Sequence, residues 1–399
     1  MKKLIKIFLI LTISFFSLST KTLANDVYVP FSQEDYKHKQ NGEKVEFDDL
    51  NLKEALLEYY KFHIDKSYTG KELTVGMMEQ FTSLSLPWAN IFSLKGLDYA
   101  VNLKTLNLSN NFIEDLSPLE KLTRLEDLNL TNNKIKEPNS LAKLTKLKQL
   151  SLRKNLMNNL DFLNSLPDLQ SLDISMNSVL KDYVPNNLKV DNLKTLNING
   201  IGLDNISFLK NAKKLESLLA EENSLKELSP LAELTNLRTL YLDRNNISDI
   251  SPLKDLSNLE ELLLYKNNIT DISVLSGKKY LYRLMLDDNL TLKNIDILKT
   301  VSNLASLDIS NTQVDNINSL NDLKYLYYIA VKNTPLQEQQ LKEFAEANNK
   351  VKQNNNIDKK LEIVTTEAGK YFTVKNYIFM FLITLITLTG IRSYWRKNK

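Results

Sequence analysis

The chain has 399 residues, of which 25% are charged and 43% hydrophobic, and a formal net charge of +3. Its Lys and Arg are interleaved with Asp and Glu rather than gathered into a basic tract, which removes nucleic acid from the expected partners. With no cysteine and only two histidines, the chain has neither a disulfide framework nor the residues of a Cys/His metal cluster.

Residues 1–24, MKKLIKIFLILTISFFSLSTKTLA, read as a secretory signal. Lys2, Lys3 and Lys6 form a positive start, an apolar run follows, and Thr22 and Ala24 are small residues before Asn25. A retained membrane anchor is the alternative reading. Export without cysteine points to a bacterium with a single membrane and little disulfide chemistry. Residues 25–80 then form an N-terminal segment and a helical cap. Leu52, Ala55, Leu56, Tyr59 and Tyr60 recur at helix spacing, and Leu73, Met77 and Met78 predict a second short helix.

Residues 81–335 repeat themselves. LRTLYLDRNNISDISPLKDLSN (237–258) is followed by LEELLLYKNNITDISVLSGKKY (259–280), and LKTLNLSNNFIEDLSPLEKLTR opens upstream at Leu103. Starts at 81, 103, 125, 147, 169, 193, 215, 237, 259, 281, 304 and 326 define twelve coils, stepped by 22 to 24 residues. This is a leucine-rich repeat array, an α/β solenoid with repeats of about 22 residues. Coil positions 1, 4 and 6, such as Leu237, Leu240 and Leu242, point inward from a short parallel strand on the concave face. One coil cannot bury its own leucines; stacking at about 4.8 Å per strand joins them into one core.

Position 9 is asparagine at Asn111, Asn133, Asn155, Asn177, Asn223, Asn245, Asn267 and Asn289. An amide that both donates and accepts suits a place where the chain turns inward. Ile201, Thr312 and Thr334 interrupt this ladder. The triplet SPL at 117–119, 229–231 and 251–253 predicts the cap and first residue of a helical turn on the outer face.

Positions 3, 5 and 7 face the concave side. Down position 5 run Ser85, Asn107, Asn129, Ser151, Asp173 and Asn197, then Leu219, Tyr241, Leu263 and Met285, then Asp308 and Ala330. The four apolar members, spaced about 5 Å apart, predict a patch about 15 Å long, widened by Tyr265. Glu221, Asp243, Glu261, Arg283 and Asp287 frame it, with Arg244 and Lys266 at its edge. An apolar centre with a charged rim is the composition of a protein-recognition surface. Cross-strand packing without any ligand, or contact with another copy of the chain, are the competing readings.

Residues 336–350 read as a closing amphipathic helix and 351–375 as a spacer. Residues 376–391, NYIFMFLITLITLTGI, are almost wholly apolar and precede the basic tail 392–399, so they predict a C-terminal transmembrane helix with a cytoplasmic end. The expected location is the outer face of the cell membrane, held by that one anchor.

The stretch FTSLSLPWANIFSLKGLDYAVNLKTLNLSNNFIEDLSPL (81–119), with its helical cap and 22-residue repeat, resembles the entry to the repeat domain of bacterial internalins. The resemblance covers about residues 45–350. It implies a surface protein of a Gram-positive bacterium that grips a protein through its concave face, with adhesion or virulence as the setting. No Leu-Pro-x-Thr-Gly signal precedes the tail; IVTTEAGK (363–370) stands in its place. The expected function is binding of an unidentified protein or peptide, host or bacterial. The alternative is a membrane-tethered accessory protein acting on the bacterium's own envelope. No cofactor, metal site or catalytic constellation is expected: histidines and cysteines are missing from the array, and there is no phosphate loop.

Overall fold

The computed structural model describes residues 42–183 and 188–366. Thirteen parallel strands lie side by side in strict chain order. Each of β1 to β12 is three residues long, from Ser83–Ser85 (β1) and Thr105–Asn107 (β2) to Thr239–Tyr241 (β8), Glu261–Leu263 (β9), Arg283–Met285 (β10), Ser306–Asp308 (β11) and Tyr328–Ala330 (β12). The middle residue of every strand, Leu84, Leu106 and so on to Ile329, is buried and pairs with its counterpart in the next coil. Position 8 turns the chain away from the sheet in the left-handed region, with φ of 52–61° at Asn110, Asn132, Lys154, Met176, Glu222, Arg244, Lys266, Asp288, Asn311 and Asn333. Asparagine and aspartate tolerate that conformation best, and the sixth coil uses Gly200 there.

The asparagine ladder then satisfies the buried turn. Asn111 Nδ2 donates to Leu86 O and Leu108 O at 3.0 and 2.9 Å, while its Oδ1 accepts Ile91 N–H at 3.0 Å. Each amide therefore serves its own coil and the one before. On the convex side short 3-10 turns carry the remaining leucines inward, as at Ser117–Lys121, Ser229–Leu231 and Ser251–Leu253. The serine is not the cap that its sequence suggests. It is the first turn residue, and Asp115 or Asp249, two places earlier, accepts its N–H at 2.8 Å.

Both ends of the leucine core are closed. Helix α1 (Leu50–Tyr59), the π-helical turn Tyr60–Ile64 that continues it and the single turn α2 (Val75–Met78) bury Leu52, Leu56, Tyr60, Met77 and Met78 in one cluster with Phe81. Asp49 joins this cap to the first coil. Its Oδ1 caps α1 at Asn51 and Leu52, and its Oδ2 accepts Phe92 N–H at 2.6 Å and Ser93 N–H at 3.1 Å. Burial pushes this carboxyl up, but the four backbone donors outweigh that and hold it below the ordinary aspartate range. At the other end α3 (Glu338–Asn354) buries Phe344, Asn348 and Lys352. The chain then returns as β13 (Glu362–Val364), pairing with β12 at Tyr328↔Glu362. That strand falls inside the segment read from sequence as a spacer.

The expected transmembrane helix requires correction. Among the described residues no helix is long and apolar enough to cross a membrane. The longest, α3, has 17 residues and carries Glu338, Lys342, Glu343, Glu346, Lys350 and Lys352, whereas a span needs about 20 mostly apolar residues. Residues 376–391, on which the span was placed, and the signal stretch 1–24 lie outside the described residues. The fold is a parallel-strand solenoid with helical turns and caps. Membrane anchoring, and the cell-membrane location built on it, are not supported.

Candidate interaction face

The parallel register sets Leu219, Tyr241, Leu263, Met285 and Asp308 in one row, and Thr239, Glu261, Arg283, Ser306 and Tyr328 in the row beside it. Glu221, Asp243, Tyr265 and Asp287 follow at position 7 of their coils. All ten residues singled out from sequence thus occupy the strand face of four consecutive coils. Their exposure differs from the expectation of an apolar centre. Leu263 is fully buried and Met285 is 6% exposed, while Leu219, Glu221, Tyr241, Tyr265 and Arg283 are half-buried. The two apolar residues in the middle pack into the face instead of presenting an open patch. What solvent meets is aromatic and charged.

The reason lies in side-chain reach. Tyr241 does not stand upright from β8; its hydroxyl crosses to β9 and donates to Glu261 Oε2 at 2.8 Å. Tyr282 donates to Glu261 Oε1 at 2.6 Å, and Arg283 Nη1 lies 3.4 Å from Oε2. Glu261 is 6% exposed, so this carboxylate is withdrawn from water and surrounded by three donors. Burial, followed by the Glu261 charge, drives the Tyr282 hydroxyl well above the ordinary tyrosine range. Sequence reasoning missed Tyr282 because it sits at position 2, outside the alternating column. Its signal was a tyrosine one residue before an arginine beside a buried glutamate.

A second cluster follows position 7. Asn199 Nδ2 donates to Glu221 Oε2 at 2.6 Å, and the Asp243 carboxyl lies beside Glu221. Asp243 is fully buried; its Oδ1 accepts Tyr265 N–H at 2.9 Å, and its Oδ2 is buried without a hydrogen-bond partner. Burial first and the Glu221 charge second raise Asp243 well above the ordinary aspartate range, and burial also raises Glu221. Burial next to a second carboxyl favours the protonated form of Asp243. Arg244 closes the edge, donating to Tyr265 Oη at 2.7 Å and pairing with Glu222 at 3.1 Å. Burial, then the Asp243 charge, pushes the Tyr265 hydroxyl up to about 12.

Among the described residues no group of His, Cys, Asp or Glu is arranged to hold a metal ion.

Comparison with known proteins agrees with this architecture. The family model described as Leucine Rich repeats (2 copies) matches residues 101–143, 213–255 and 235–277. No curated protein matches the sequence significantly. Among solved structures, an internalin from Listeria monocytogenes is 26% identical, with a TM-score of 0.67 over 80% of this chain and 91% of its own. The functional domain of InlJ from the same organism, which includes a cysteine ladder, is 22% identical with a TM-score of 0.54, over 75% of this chain and 59% of that one. The ectodomain of the Arabidopsis thaliana receptor kinase GASSHO1/SCHENGEN3, in complex with Casparian strip integrity factor 2, shares the fold at 21% identity and a TM-score of 0.51, over 66% of this chain and 37% of its own. Folds of this kind generally serve as non-catalytic scaffolds whose concave parallel sheet is the usual partner-binding surface. The chain is a leucine-rich repeat protein related to the bacterial internalins and to other surface proteins built on that repeat.

Proposed function

We propose that the chain is a recognition protein that holds a protein or peptide partner on the concave face of coils seven to ten. The observation that carries this reading is the run of half-buried Leu219, Tyr241, Tyr265 and Arg283 on adjoining coils, with the polar ends of the two tyrosines and the arginine already fixed by neighbours. Side chains held in place lose little rotamer freedom on binding, and Tyr and Arg are the residues that most often dominate such interfaces. The buried Leu263, Met285, Asp243, Glu261 and Asp287 support that arrangement from below. Kinship with an internalin supports adhesion to a protein met outside the cell, and non-catalytic action.

The test uses the full chain as bait against host extract and against envelope proteins of the producing bacterium, followed by calorimetry with the captured protein. Tyr241→Ala should weaken that complex by about 2 kcal/mol or more. Ser85→Ala, on the exposed polar first strand, should leave it unchanged. Equal affinity of parent and Tyr241→Ala, with both folded, places the partner elsewhere.

A further inference from the structure

A depression of about 390 Å³ lies on the flank of the last three coils, between their position-2 residues and the closing segment 352–359. Its wall includes Tyr282, Tyr325 and Tyr327, and its charged lining is Lys324, Lys352 and Lys359, with no acidic residue. Lys359 Nζ sits 3.2 Å from the centre of the Tyr327 ring, and Lys324 Nζ 4.9 Å from that of Tyr325. These aromatic faces hold two ammonium groups without neutralising them.

Lys352 is the informative member. It projects inward from the last turn of α3, is 2% exposed, and its Nζ has no hydrogen-bond partner. The contrast with Lys278 is instructive. That lysine is also buried, but its Nζ donates to three backbone carbonyls, Leu253 O, Lys254 O and Leu256 O, at 2.9 to 3.1 Å. A buried ammonium is costly unless paired and hydrogen-bonded. Burial and then the Lys359 charge depress Lys352, and no carboxylate offsets them.

We infer that this depression is an oxyanion-binding site, in which a phosphate, sulfate or carboxylate group of a small ligand is held by Lys352 and Lys359, with Lys324 at the mouth. Such a group supplies acceptors to the unpartnered Nζ and cancels the repulsion between the two lysines. The tyrosine walls accommodate the flat or apolar remainder of the ligand, and the volume falls in the range of small-molecule sites. Tyr282 links this flank to the concave face, since its hydroxyl binds Glu261 there. The site does not depend on the protein partner proposed above.

The experiment is calorimetric titration of the full chain with inorganic phosphate and, separately, with acetate, at fixed ionic strength made up with chloride. Saturable binding of at least one anion is expected, and the stronger arm tells a tetrahedral oxyanion from a carboxylate. Lys352→Met and Lys359→Gln should each weaken it at least about tenfold, the loss of one charge-assisted contact. Should Lys352→Met fail to fold, as judged by thermal unfolding, Lys359→Gln and Lys324→Gln decide the matter. No saturable binding of either anion, or parent affinity in any folded Lys352 or Lys359 variant, overturns the assignment.

Discussion

Replacing Asn245 by alanine tests the ladder on which the stacking of coils depends. Asn245 Nδ2 donates to Ala220 O and Leu242 O, each at 2.9 Å, and Oδ1 accepts Leu225 N–H at 3.0 Å. The two carbonyls are not left bare by truncation. Ala220 O keeps Asn223 Nδ2 at 3.1 Å, and Leu242 O keeps Asn267 Nδ2 at 3.0 Å. Leu225 N–H loses its side-chain acceptor inside the core. An orphaned buried N–H costs about 1–3 kcal/mol and each lost bond to a carbonyl about 1 kcal/mol, so the total is about 3–5 kcal/mol. Asn245→Thr should cost less, because Thr312 Oγ1 already reaches the carbonyl of Ile309 in its own coil at 2.7 Å. Urea unfolding monitored by far-ultraviolet circular dichroism gives both values. Hydrogen exchange at Leu225 N–H should also quicken in the alanine variant. A loss below about 1 kcal/mol for Asn245→Ala, at unchanged dependence on urea, refutes this account of the ladder.

Three further outcomes follow from other sites. Asp243 is raised in the folded state, so the native chain keeps a proton that the unfolded chain releases, and stability falls as pH rises from the ordinary aspartate range through the raised folded value. Asp243→Asn, which mimics the protonated form, should gain about 1–3 kcal/mol at pH 7 and converge with the parent toward acid; a gain that grows toward acid contradicts the raised carboxyl. Lys278→Leu places there the residue found at the matching Leu234 and Leu256, and should unfold within about 1 kcal/mol of the parent or later, whereas Lys278→Ala leaves a cavity and should lose about 2 kcal/mol. Deleting residues 42–80 exposes Phe81, now 1% exposed and 6.2 Å from the Tyr60 ring, and should yield aggregates by light scattering; a monodisperse, cooperative fragment would show the cap to be dispensable.

The repeat was legible because its period is enforced by stacking. Every coil must place a leucine at the same depth, and the starts read from sequence align with the twelve strands from Ser83–Ser85 to Tyr328–Ala330. The column of residues on the concave side followed from alternation alone. Alternation gives the direction in which a side chain leaves the strand, and says nothing about where a long one ends. Alternation sets Tyr241 in an apolar patch open to a partner, yet its hydroxyl is tied to Glu261, and Leu263 is buried. Position 7 was read as a charged rim, but the carboxyl of Asp243 lies inside. Such outcomes depend on neighbours 20 to 22 residues away in sequence, as for Tyr241 with Glu261 and Tyr265 with Asp243, which no local window joins. The strand Glu362–Val364 was invisible for the same reason: three residues carry no period, and their partner is Tyr328.

That last strand has a consequence for assembly. A parallel stack of coils extends in one direction with no intrinsic stop, and its terminal rung offers unpaired backbone groups to any passing chain. Here Val331 donates its N–H to Val364 O, and Glu362 N–H donates to Tyr327 O, so the molecule's own returning chain occupies both the donor and the acceptor of that edge. The latch is three residues wide and comes from a segment tethered behind α3. With β12 paired to its own chain, that rung is closed to any other strand.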